Sequence, residues 1–455
     1  MKRWTLILLA AVLLVPAALA QEAPKNVIVM ISDGCGFAHV EAADRWRYGE
    51  PGLSVLGRFP ASLAVSTHSL GCEPYDPAAA WESFVWVAAG ATDSAAAATA
   101  LASGHKTYNG AIGVVPTEVD AGGRPTAVKP VPSVLELAEI LGKATGVVSS
   151  VQLSHATPAG FVAHNEARGN YEEIGREMIL ESPVDVIMGC GHPWYNEQGD
   201  KMDEADYAYV GGQETWEIAT KGLPAADADG DGEGDPWVFV DDRAGFANLL
   251  HGDAPARVLG IPMVRGTLNQ QRLGDAGAAP FDVPLNETVP TLAEMTAAAL
   301  NVLDADPDGL FLMVEGGAVD WASHANQLGR MIEEQMDFVD SVDAVVAWVE
   351  TNSSWEETLV IVTADHETGY LAPAGSGDQD GRVVWAEVPE TGAGELPNME
   401  WHSLGHTNSL VPLYAGGVGS ERLLERAGSE DPVRGPYVDN TDIPGLIFEL
   451  WDSAG

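Results

Sequence analysis

The stretch KNVIVMISDG (residues 25–34) decides the architecture of this chain. Residues 25–31 form a short, almost continuous apolar run, which is typical of a parallel strand buried on both faces. The run stops at Ser32, Asp33 and Gly34, which are residues that favour turns. The sequence therefore predicts a buried strand with the carboxylate of Asp33 directly after it.

The same kind of apolar run returns four more times. The runs are ATGVVSS (144–150), VDVIMG (184–189), GLFLMVEGG (309–317) and TLVIVTADHE (358–367), and the stretches with helical character are 94–103, 133–142, 291–303 and 321–350. Alternating strands and helices predict an α/β fold, a layered α/β/α sandwich with a central, mostly parallel sheet.

Metal-capable residues stand at three of these strand ends. Asp33 follows the first strand, Glu315 lies at the end of the fourth, and Asp365 and His366 end the fifth. One acidic residue after a strand is an ordinary turn or helix-capping residue. Because ligands of parallel sheets gather beyond the carboxyl ends of the strands, three such ends point to a shared site.

Composition and charge limit the class of protein. The chain has 455 residues, of which 46% are hydrophobic and 20% charged, so a globular protein with a sizeable core is expected. The formal net charge is -44, or -46 once Lys2 and Arg3 are removed with the first twenty residues. So acidic a surface argues against nucleic acid or anionic membrane as a partner.

The first twenty residues, MKRWTLILLAAVLLVPAALA, have the layout of a secretory signal peptide. Two basic residues precede a short apolar run, and Ala18-Leu19-Ala20 forms the cleavage pattern. A periplasmic or secreted protein with no membrane span in its mature chain is therefore predicted, and a retained anchor is the alternative.

The three cysteines, Cys35, Cys72 and Cys190, allow at most one intramolecular disulfide. They form no CxxC pair, so a thiolate zinc site is not expected. Oxygen and imidazole ligands are expected for any metal.

The acidic stretch PAADADGDGEGDP (224–236) begins like a calcium-binding loop. Asp227, Asp229, Asp231 and Gly232 match the opening of an EF-hand, but position twelve is Val238 and the bidentate glutamate is missing. A weak Ca²⁺ site at 227–235 and a plain solvated loop both remain open.

The stretch ATDSAAAATALASGHKT (91–107) begins a run of small helix-forming residues at Ser94. The simple interpretation is a helix with Ser94 as its N-cap and Gly104 as the terminating glycine. The functional interpretation is that the helix N-terminus receives an anion, because its free N–H groups and its dipole favour negative charge.

Later motifs supply further candidate ligands. VEGGAVDWASHAN (314–326) carries Asp320, a predicted helix N-cap, and His324 one turn later on the same face. WHSLGHTN (401–408) carries His406, and His402, which we interpret as structural. Zinc accepts carboxylate and imidazole where thiolate is absent, and two such ions can hold both oxygens of a displacement at phosphorus.

Taken in order, these motifs resemble those of the alkaline phosphatases over roughly residues 25–450. The matching stretches are SDGCG, TDSAAAATALASGHKT, SHATPAGFVAHNEAR, VEGGAVDWASH, TADHE and WHSLGHTN. The resemblance implies a metal-dependent phosphomonoesterase that acts outside the cytoplasm on small-molecule phosphate monoesters, and by analogy a homodimer. It also implies that residues 21–455 form a single catalytic domain with surface insertions near 190–245 and 371–400.

The resemblance further implies a role for each matched position. Ser94 is the expected nucleophile, which forms a covalent phosphoserine, and Arg168 is expected to grip the phosphate. Asp93 is well placed to orient Arg168, or serves only as an acid at the helix start. Two zinc ions and one magnesium ion are also implied. Asp320, His324 and His406 are the implied ligands of the first zinc, and Asp33, Asp365 and His366 those of the second. The magnesium ligands are then Asp33, Thr157 and Glu315.

Two positions beside the expected ligands differ from those of some relatives. His155 stands where some relatives have aspartate, and since it offers no hard oxygen, the third site is expected to be weaker or to prefer another metal. Trp321 stands where lysine or histidine is frequent, so a positive charge near the phosphate is missing. We expect faster product release and weaker phosphate inhibition.

Two kinds of alternative remain at this stage. A phosphodiesterase or a sulfatase has a related metal core, although DSAAAA lacks the proline and arginine of the sulfatase nucleophile motif. An acidic, cation-binding surface protein is the alternative outside enzymes, and it leaves Ser94 and Arg168 unexplained.

Overall fold

The computed structural model describes residues 23–379 and 382–452, so the predicted signal peptide lies outside the described residues. The strands are β1 (Asn26–Ser32), β2 (Ala61–Ser66), β3 (Val114–Val119), β4 (Pro125–Pro130), β5 (Ala144–Gln152), β6 (Val186–Cys190), β7 (Val238–Val240), β8 (Val258–Gly260), β9 (Leu310–Gly316), β10 (Thr358–Thr363), β11 (Glu367–Thr368), β12 (Leu371–Pro373), β13 (Gly377–Gln379), β14 (Arg382–Val384), β15 (Met399–Trp401), β16 (His406–Thr407), β17 (Val411–Gly417), β18 (Ser429–Asp431) and β19 (Gly435–Asp439).

The helices lie between these strands. They are α1 (Phe37–Tyr48), α2 (Pro77–Glu82), α3 (Phe84–Val87), α4 (Ser94–Ser103), α5 (Val134–Ile140), α6 (Ala156–Val162), α7 (Tyr171–Arg176), α8 (Gly212–Thr220), α9 (Arg243–Leu249), α10 (Leu292–Leu303), α11 (Ala318–His324), α12 (Leu328–Asn352), α13 (Glu421–Arg426) and α14 (Asp442–Asp452). None of the helices in the described ranges combines the length and the apolar character that crossing a bilayer requires.

Eleven strands form one sheet in the order β18-β19-β2-β17-β10-β1-β9-β5-β6-β8-β7. From β10 to β7 all neighbouring strands are parallel. Strand β17 runs antiparallel to β10 and β2, and β18 antiparallel to β19. The prediction of an α/β fold with a mostly parallel central sheet is confirmed.

Strand β1 lies in the middle of the sheet, between β10 and β9. Its side chains alternate between two hydrophobic cores, because Val27, Val29 and Ile31 pack on one face and Ile28 and Met30 on the other. All five are fully buried, and each contributes about 1.5–3 kcal/mol by leaving water. The unbroken apolar run is therefore what a central strand with two covered faces requires.

The small residues of α4 allow it to pack closely against α6. A Cβ on Gly160 of α6 would lie 2.7 Å from the Cβ of Ala98 in α4, so a larger residue would push the helices apart. Helix α4 is buried throughout and ends at Gly104, whose φ of 75° suits the left-handed cap. This close packing brings Ser94 and Thr157, near the starts of the two helices, to the same side of the sheet.

The structure corrects two local predictions about helix starts. The N-cap of α4 is Asp93, whose Oδ1 accepts the N–H of Ala96, so Ser94 is the first helical residue rather than the cap. Asp320 is not a cap either, because α11 begins at Ala318 with Gly317 before it.

The predicted helix over 321–350 is two helices, α11 and α12. Residues 325–327 interrupt the helix, and within them Asn326 has a positive φ of 54°. The predicted strand 358–367 ends at Thr363, which leaves the next residues free to turn toward the site. Cys35, Cys72 and Cys190 are all free thiols, and burial raises the pKa of Cys35 to about 12.

Candidate active site

The three predicted strand ends meet at one edge of the sheet. Asp33 follows β1, Glu315 is the penultimate residue of β9, and Asp365 and His366 follow β10. The N–H of Gly34 donates to Asp365 Oδ1 at 3.0 Å, which joins the first and fifth ends. Gly34 has a φ of 73°, and a Cβ there would lie 2.8 Å from Asp320 Cα, so only glycine fits this turn.

The first cluster consists of Asp320, His324 and His406. The Nε2 atoms of the two histidines are 3.0 Å apart, and Asp320 Oδ1 lies 3.4 and 3.5 Å from them. Each Nδ1 contacts a backbone carbonyl, that of Leu404 for His324 (2.6 Å) and that of Thr92 for His406 (2.8 Å). Since these carbonyls fix the proton on Nδ1, both Nε2 lone pairs face one point, the arrangement of a metal site.

The second cluster consists of Asp33, Asp365 and His366. His366 Nε2 lies 3.1 Å from Asp365 Oδ2 and 3.6 Å from Asp33 Oδ1, and all three residues are fully buried. The same nitrogen is 3.3 Å from Ser94 Oγ. The nucleophile candidate therefore lies directly beside the second cluster.

The Thr368 hydroxyl links the two clusters, and sequence reasoning missed it. Its Oγ1 donates to Asp320 Oδ1 at 2.6 Å and lies 3.3 Å from His366 Nδ1. Because the hydroxyl proton goes to Asp320, His366 donates its Nδ1 proton to Thr368 and keeps Nε2 free for a ligand. The only signal in the sequence is that Thr368 stands two residues after His366.

A third cluster joins Asp33, Glu315 and His155, whose candidate ligand atoms all lie within 4.8 Å of one another. The Ser149 hydroxyl donates to Oε2 of Glu315. Thr157 is fully buried near the start of α6, and its Oγ1 has no hydrogen-bond partner in the described part of the chain. His155 therefore lies among the third group of ligand candidates, beside the oxygen donors that the sequence assigned to that site.

Burial and mutual repulsion perturb the titration of these groups. The pKa of Asp33 rises well above its ordinary value because of burial and then the carboxylates of Asp365, Asp320 and Glu315. Burial raises the pKa of Asp365 to about 8 and that of Glu315 to about 6. Burial also lowers the pKa of His366 far below its ordinary value, and the nearby imidazole of His406 lowers it further. Carboxylates that repel one another beside neutral imidazoles are an environment that cations stabilise.

Unpartnered buried atoms test whether metal ions fit here. Both oxygens of Asp33, Oδ2 of Asp365, Oε1 of Glu315 and Oγ1 of Thr157 are buried with no hydrogen-bond partner among the described residues. Each such atom costs about 1–3 kcal/mol if nothing satisfies it. Oxygen and imidazole donors of this kind suit zinc and magnesium, so the residues present fit the implied ions.

Asp93 serves both as the helix cap and as the partner of Arg168. Its Oδ1 caps α4, and its Oδ2 accepts from Arg168 Nη1 at 2.9 Å. Burial alone would lower the pKa of Arg168, but the carboxylates of Asp93 and Asp33 raise it above its ordinary value, so the guanidinium stays charged. Arg168 Nη2 also lies 3.4 Å from His155 Nε2.

One cavity of about 830 Å³ gives access to these groups. Ser94, Arg168, His155, Asp320, Trp321, His324 and His406 all line it. Ser94 stands at the N-terminus of α4, where the first amides have no partner within the helix. A hydroxyl, a guanidinium fork and a helix N-terminus therefore line one cavity beside two metal-capable clusters.

The acidic loop lies apart from this cavity. Oxygens of Asp227, Asp229 and Asp235 lie within 4.8 Å of one another in an exposed setting. The carboxylate of Asp227 accepts the backbone N–H groups of Gly230 and Gly232. The weak Ca²⁺ site at 227–235 stays a prediction.

The sequence profile of the family described as Alkaline phosphatase matches residues 24–434. Alkaline phosphatase 4 from Bacillus subtilis (strain 168) is 28% identical over 494 residues, which cover 94% of this chain and 88% of that protein. The solved structure of alkaline phosphatase from the Antarctic bacterium TAB5 is 26% identical, with a TM-score of 0.62 and coverage of 95% of this chain and 99% of that one. A histidine-to-aspartate mutant of the TAB5 enzyme was solved with Mg bound in its M3 site (TM-score 0.60, 26% identity, 95% and 99% coverage).

The fold and the site define a metal-dependent hydrolase of phosphate esters. The chain belongs to the alkaline phosphatase family and is a phosphomonoesterase.

Proposed function

We propose that the chain hydrolyses phosphate monoesters through a covalent phosphoserine at Ser94, with two zinc ions and one magnesium ion bound. The observation that carries the proposal is the position of Ser94 Oγ, 3.3 Å from His366 Nε2, on a helix N-terminus inside the cavity that Arg168 lines. A serine hydroxyl is a poor nucleophile near neutral pH and needs activation. His366 does not complete a serine–histidine–carboxylate relay, because its Nδ1 faces the Thr368 hydroxyl and not a carboxylate.

The residues divide the work of binding the phosphoryl group. Arg168 offers a planar fork for two phosphate oxygens, and Asp93 fixes its orientation. The first amides of α4 add N–H donors and the positive end of the helix dipole. With the phosphoryl group gripped in this way, the Ser94 hydroxyl would be the group that attacks its phosphorus atom.

The three clusters are the proposed ion sites. Asp320, His324 and His406 would hold one zinc, Asp33, Asp365 and His366 the other, and Asp33, Thr157 and Glu315 the magnesium, with His155 beside it. When bound, such ions lower the pKa of hydroxyl and water ligands and stabilise the oxygens that enter and leave at phosphorus. The histidine-to-aspartate TAB5 relative with Mg in its M3 site supports a magnesium-capable third position.

The test is to trap the phosphoenzyme. Brief reaction with an aryl phosphate at low pH, followed by acid quench, digestion and mass spectrometry, should find phosphate on the peptide that contains Ser94. The variant Ser94→Ala should lose both the modification and nearly all turnover while it keeps the wild-type circular dichroism spectrum. Phosphate trapped on another residue, or undiminished turnover in Ser94→Ala, would refute the serine mechanism.

Metal analysis tests the ion assignment separately. We expect two zinc ions and one magnesium ion per chain, loss of turnover after dialysis against a chelator, and recovery when zinc and magnesium are added. Full turnover in a sample shown to be metal-free would contradict it. Parallel rates on an aryl phosphate, a phosphate diester and a sulfate ester compare the proposed reaction with its nearest alternatives.

We also infer export and self-association. The layout of residues 1–20 supports cleavage before Gln21 and a periplasmic or secreted enzyme. N-terminal sequencing of protein recovered outside the cytoplasm should begin at Gln21, and light scattering should give a dimer mass if the family analogy holds. An intact N-terminus or a monomer mass would refute the respective inference.

A further inference from the structure

Three chain segments that carry ligands of the proposed zinc sites lie side by side. They are the turn after β1, which contains Asp33, strand β11, which directly follows His366, and strand β16, which begins with His406. Strands β11 and β16 are two residues long and pair antiparallel, with Glu367 opposite Thr407. The rings of His366 and His406 are stacked, with 3.6 Å between their centroids. Because so short a ladder has few backbone hydrogen bonds, side chains have a large share in fixing the position of these segments.

The side chain of His39 joins the first segment to the second. The N–H of Gly36 donates to His39 Nδ1 at 3.2 Å, and His39 Nε2 lies 3.0 Å from the backbone carbonyl of Thr368. The ring is fully buried, and burial lowers the pKa of His39 to about 3, so the imidazole is neutral. Since Nδ1 accepts a hydrogen bond, the single ring proton is on Nε2 and is donated to the Thr368 carbonyl.

Helix capping explains only one of these two contacts. His39 is the third residue of α1, and its Nδ1 accepts the N–H of the N-cap residue Gly36, as in a capping box. Glutamate or glutamine serves that purpose in most helices, so capping does not require a buried imidazole. The contact of Nε2 crosses to a segment 329 positions away in the chain. His39 therefore connects two ligand-bearing segments as well as capping a helix.

Glu367 and Thr407 join the second segment to the third. The Thr407 hydroxyl donates to Glu367 Oε2, and Glu367 Oε1 accepts the N–H of Leu371 at 3.2 Å. Thr407 is fully buried and Glu367 is 4% exposed, so both oxygens of the carboxylate depend on these donors. The first segment also packs here, because a Cβ on Gly36 would lie 2.5 Å from Glu367 Cγ.

We propose that His39, Glu367 and Thr407 form a buried polar clip that holds the three ligand-bearing segments at the spacing that both proposed zinc sites need. They are positioning residues, since they act through the backbone next to the ligands and belong to none of the ligand clusters. The inference rests on the proposed function and adds three residues to its machinery. Loosening the clip should weaken both zinc sites together.

The experiment measures the zinc affinity of metal-free protein against a chromophoric chelator, and the visible absorption spectrum of cobalt-loaded protein, which reports the geometry of the ligands. His39→Phe keeps a ring and removes both hydrogen bonds, and Thr407→Val removes one hydroxyl at nearly constant volume. Each should weaken both zinc sites about 10-fold, the lower end of the effect of partners that orient ligands, and should change the cobalt spectrum. His39→Gln keeps a donor and an acceptor and should recover part of the lost affinity.

A matched control separates positioning from general stability. His192 is also buried, and its ring packs on Tyr195 and Trp216, outside the three segments. His192→Phe should lower the melting temperature of the metal-free protein and leave the zinc affinity and the cobalt spectrum unchanged. If His39→Phe fails to fold, Thr407→Val decides the question.

The outcomes distinguish the clip from the function on which it rests. Wild-type zinc affinity in folded His39→Phe or Thr407→Val, or an equal loss of affinity in His192→Phe, would overturn the clip and leave the zinc sites standing. A wild-type protein that binds no zinc would overturn the proposed ion sites themselves, and the clip with them.

Discussion

Replacing Thr368 by valine removes one hydroxyl that supports ligands of both proposed zinc sites. The hydroxyl donates to Asp320 at 2.6 Å and accepts from His366 Nδ1 at 3.3 Å. Partners that orient metal ligands typically contribute 10- to 100-fold in metal affinity. Because this one group orients a ligand in each cluster, we expect Thr368→Val to weaken both zinc sites by about 10-fold or more, at about 1.4 kcal/mol per tenfold step.

The assay is a zinc titration of metal-free protein against a chromophoric chelator of known affinity. Thr296→Val is the matched control, because Thr296 is equally buried but its hydroxyl bonds only the backbone carbonyl of Leu292 in α10. Both variants should lower the melting temperature of the metal-free protein to a similar extent. The argument fails if Thr368→Val binds both zinc ions with wild-type affinity, or if Thr296→Val weakens them equally.

Three further changes have directions that follow from the structure. His155→Asp supplies a hard oxygen beside Asp33 and should tighten Mg²⁺ binding by about 10-fold in calorimetry of the zinc-loaded enzyme, and an unchanged affinity would contradict this. Trp321→Lys places a positive charge at the cavity and should lower both the inhibition constant for phosphate and the turnover number several-fold. This corresponds to about 1 kcal/mol of attraction between the lysine and the phosphate. Steady-state kinetics with neither value changed would refute it. Burial raises the pKa of Glu334 to about 8, so its protonated form stabilises the fold below pH 4.5 and that contribution is lost as pH rises through 8. Glu334→Gln should therefore raise the melting temperature more at pH 9 than at pH 5. The corresponding gain in the free energy of unfolding is at most about 5 kcal/mol. Equal shifts of the melting temperature at both pH values would contradict the burial argument.

The strands of the central sheet were predictable because their burial leaves a clear local signature. Residues buried on both faces must be apolar at every position, as in β1, and such runs stand out from amphipathic helices. The polar residues that end these runs identified Asp33, Glu315, Asp365 and His366 as neighbours before any coordinates. The parallel direction of the strands is sufficient to bring those ends together.

Local capping and helix breaks were less predictable. Asp93 and Ser94 are both good caps by residue type, and only the backbone path shows that Asp93 takes the role. The break between α11 and α12 carries no proline or glycine, and it depends on the left-handed conformation at Asn326. Such choices are decided by packing energies of about 1 kcal/mol, which a sequence pattern does not resolve.

The supporting residues of the site were beyond sequence reasoning. Thr368 and Ser149 act through single hydroxyls, and a threonine or serine next to a strand has many ordinary roles. Gln270 and Arg330 line the same cavity because two chain segments far apart in sequence meet there. The sequence did place His155 beside the third site, but only the structure brings its imidazole within ligand distance of Asp33 and Glu315.

By itself, the sequence determined that a mostly parallel sheet forms and that Asp33, Glu315, Asp365 and His366 gather at one edge of it, since both follow from the periodicity of burial and from strand direction. The resemblance of the motifs to a known family added Ser94 and the remaining histidines to that edge. The tertiary structure alone decided which oxygens and lone pairs face one another, which buried atoms are left without partners, and how wide the cavity is. Those properties depend on distances of a few tenths of an ångström between elements far apart in the chain, and no local pattern of residues encodes such distances.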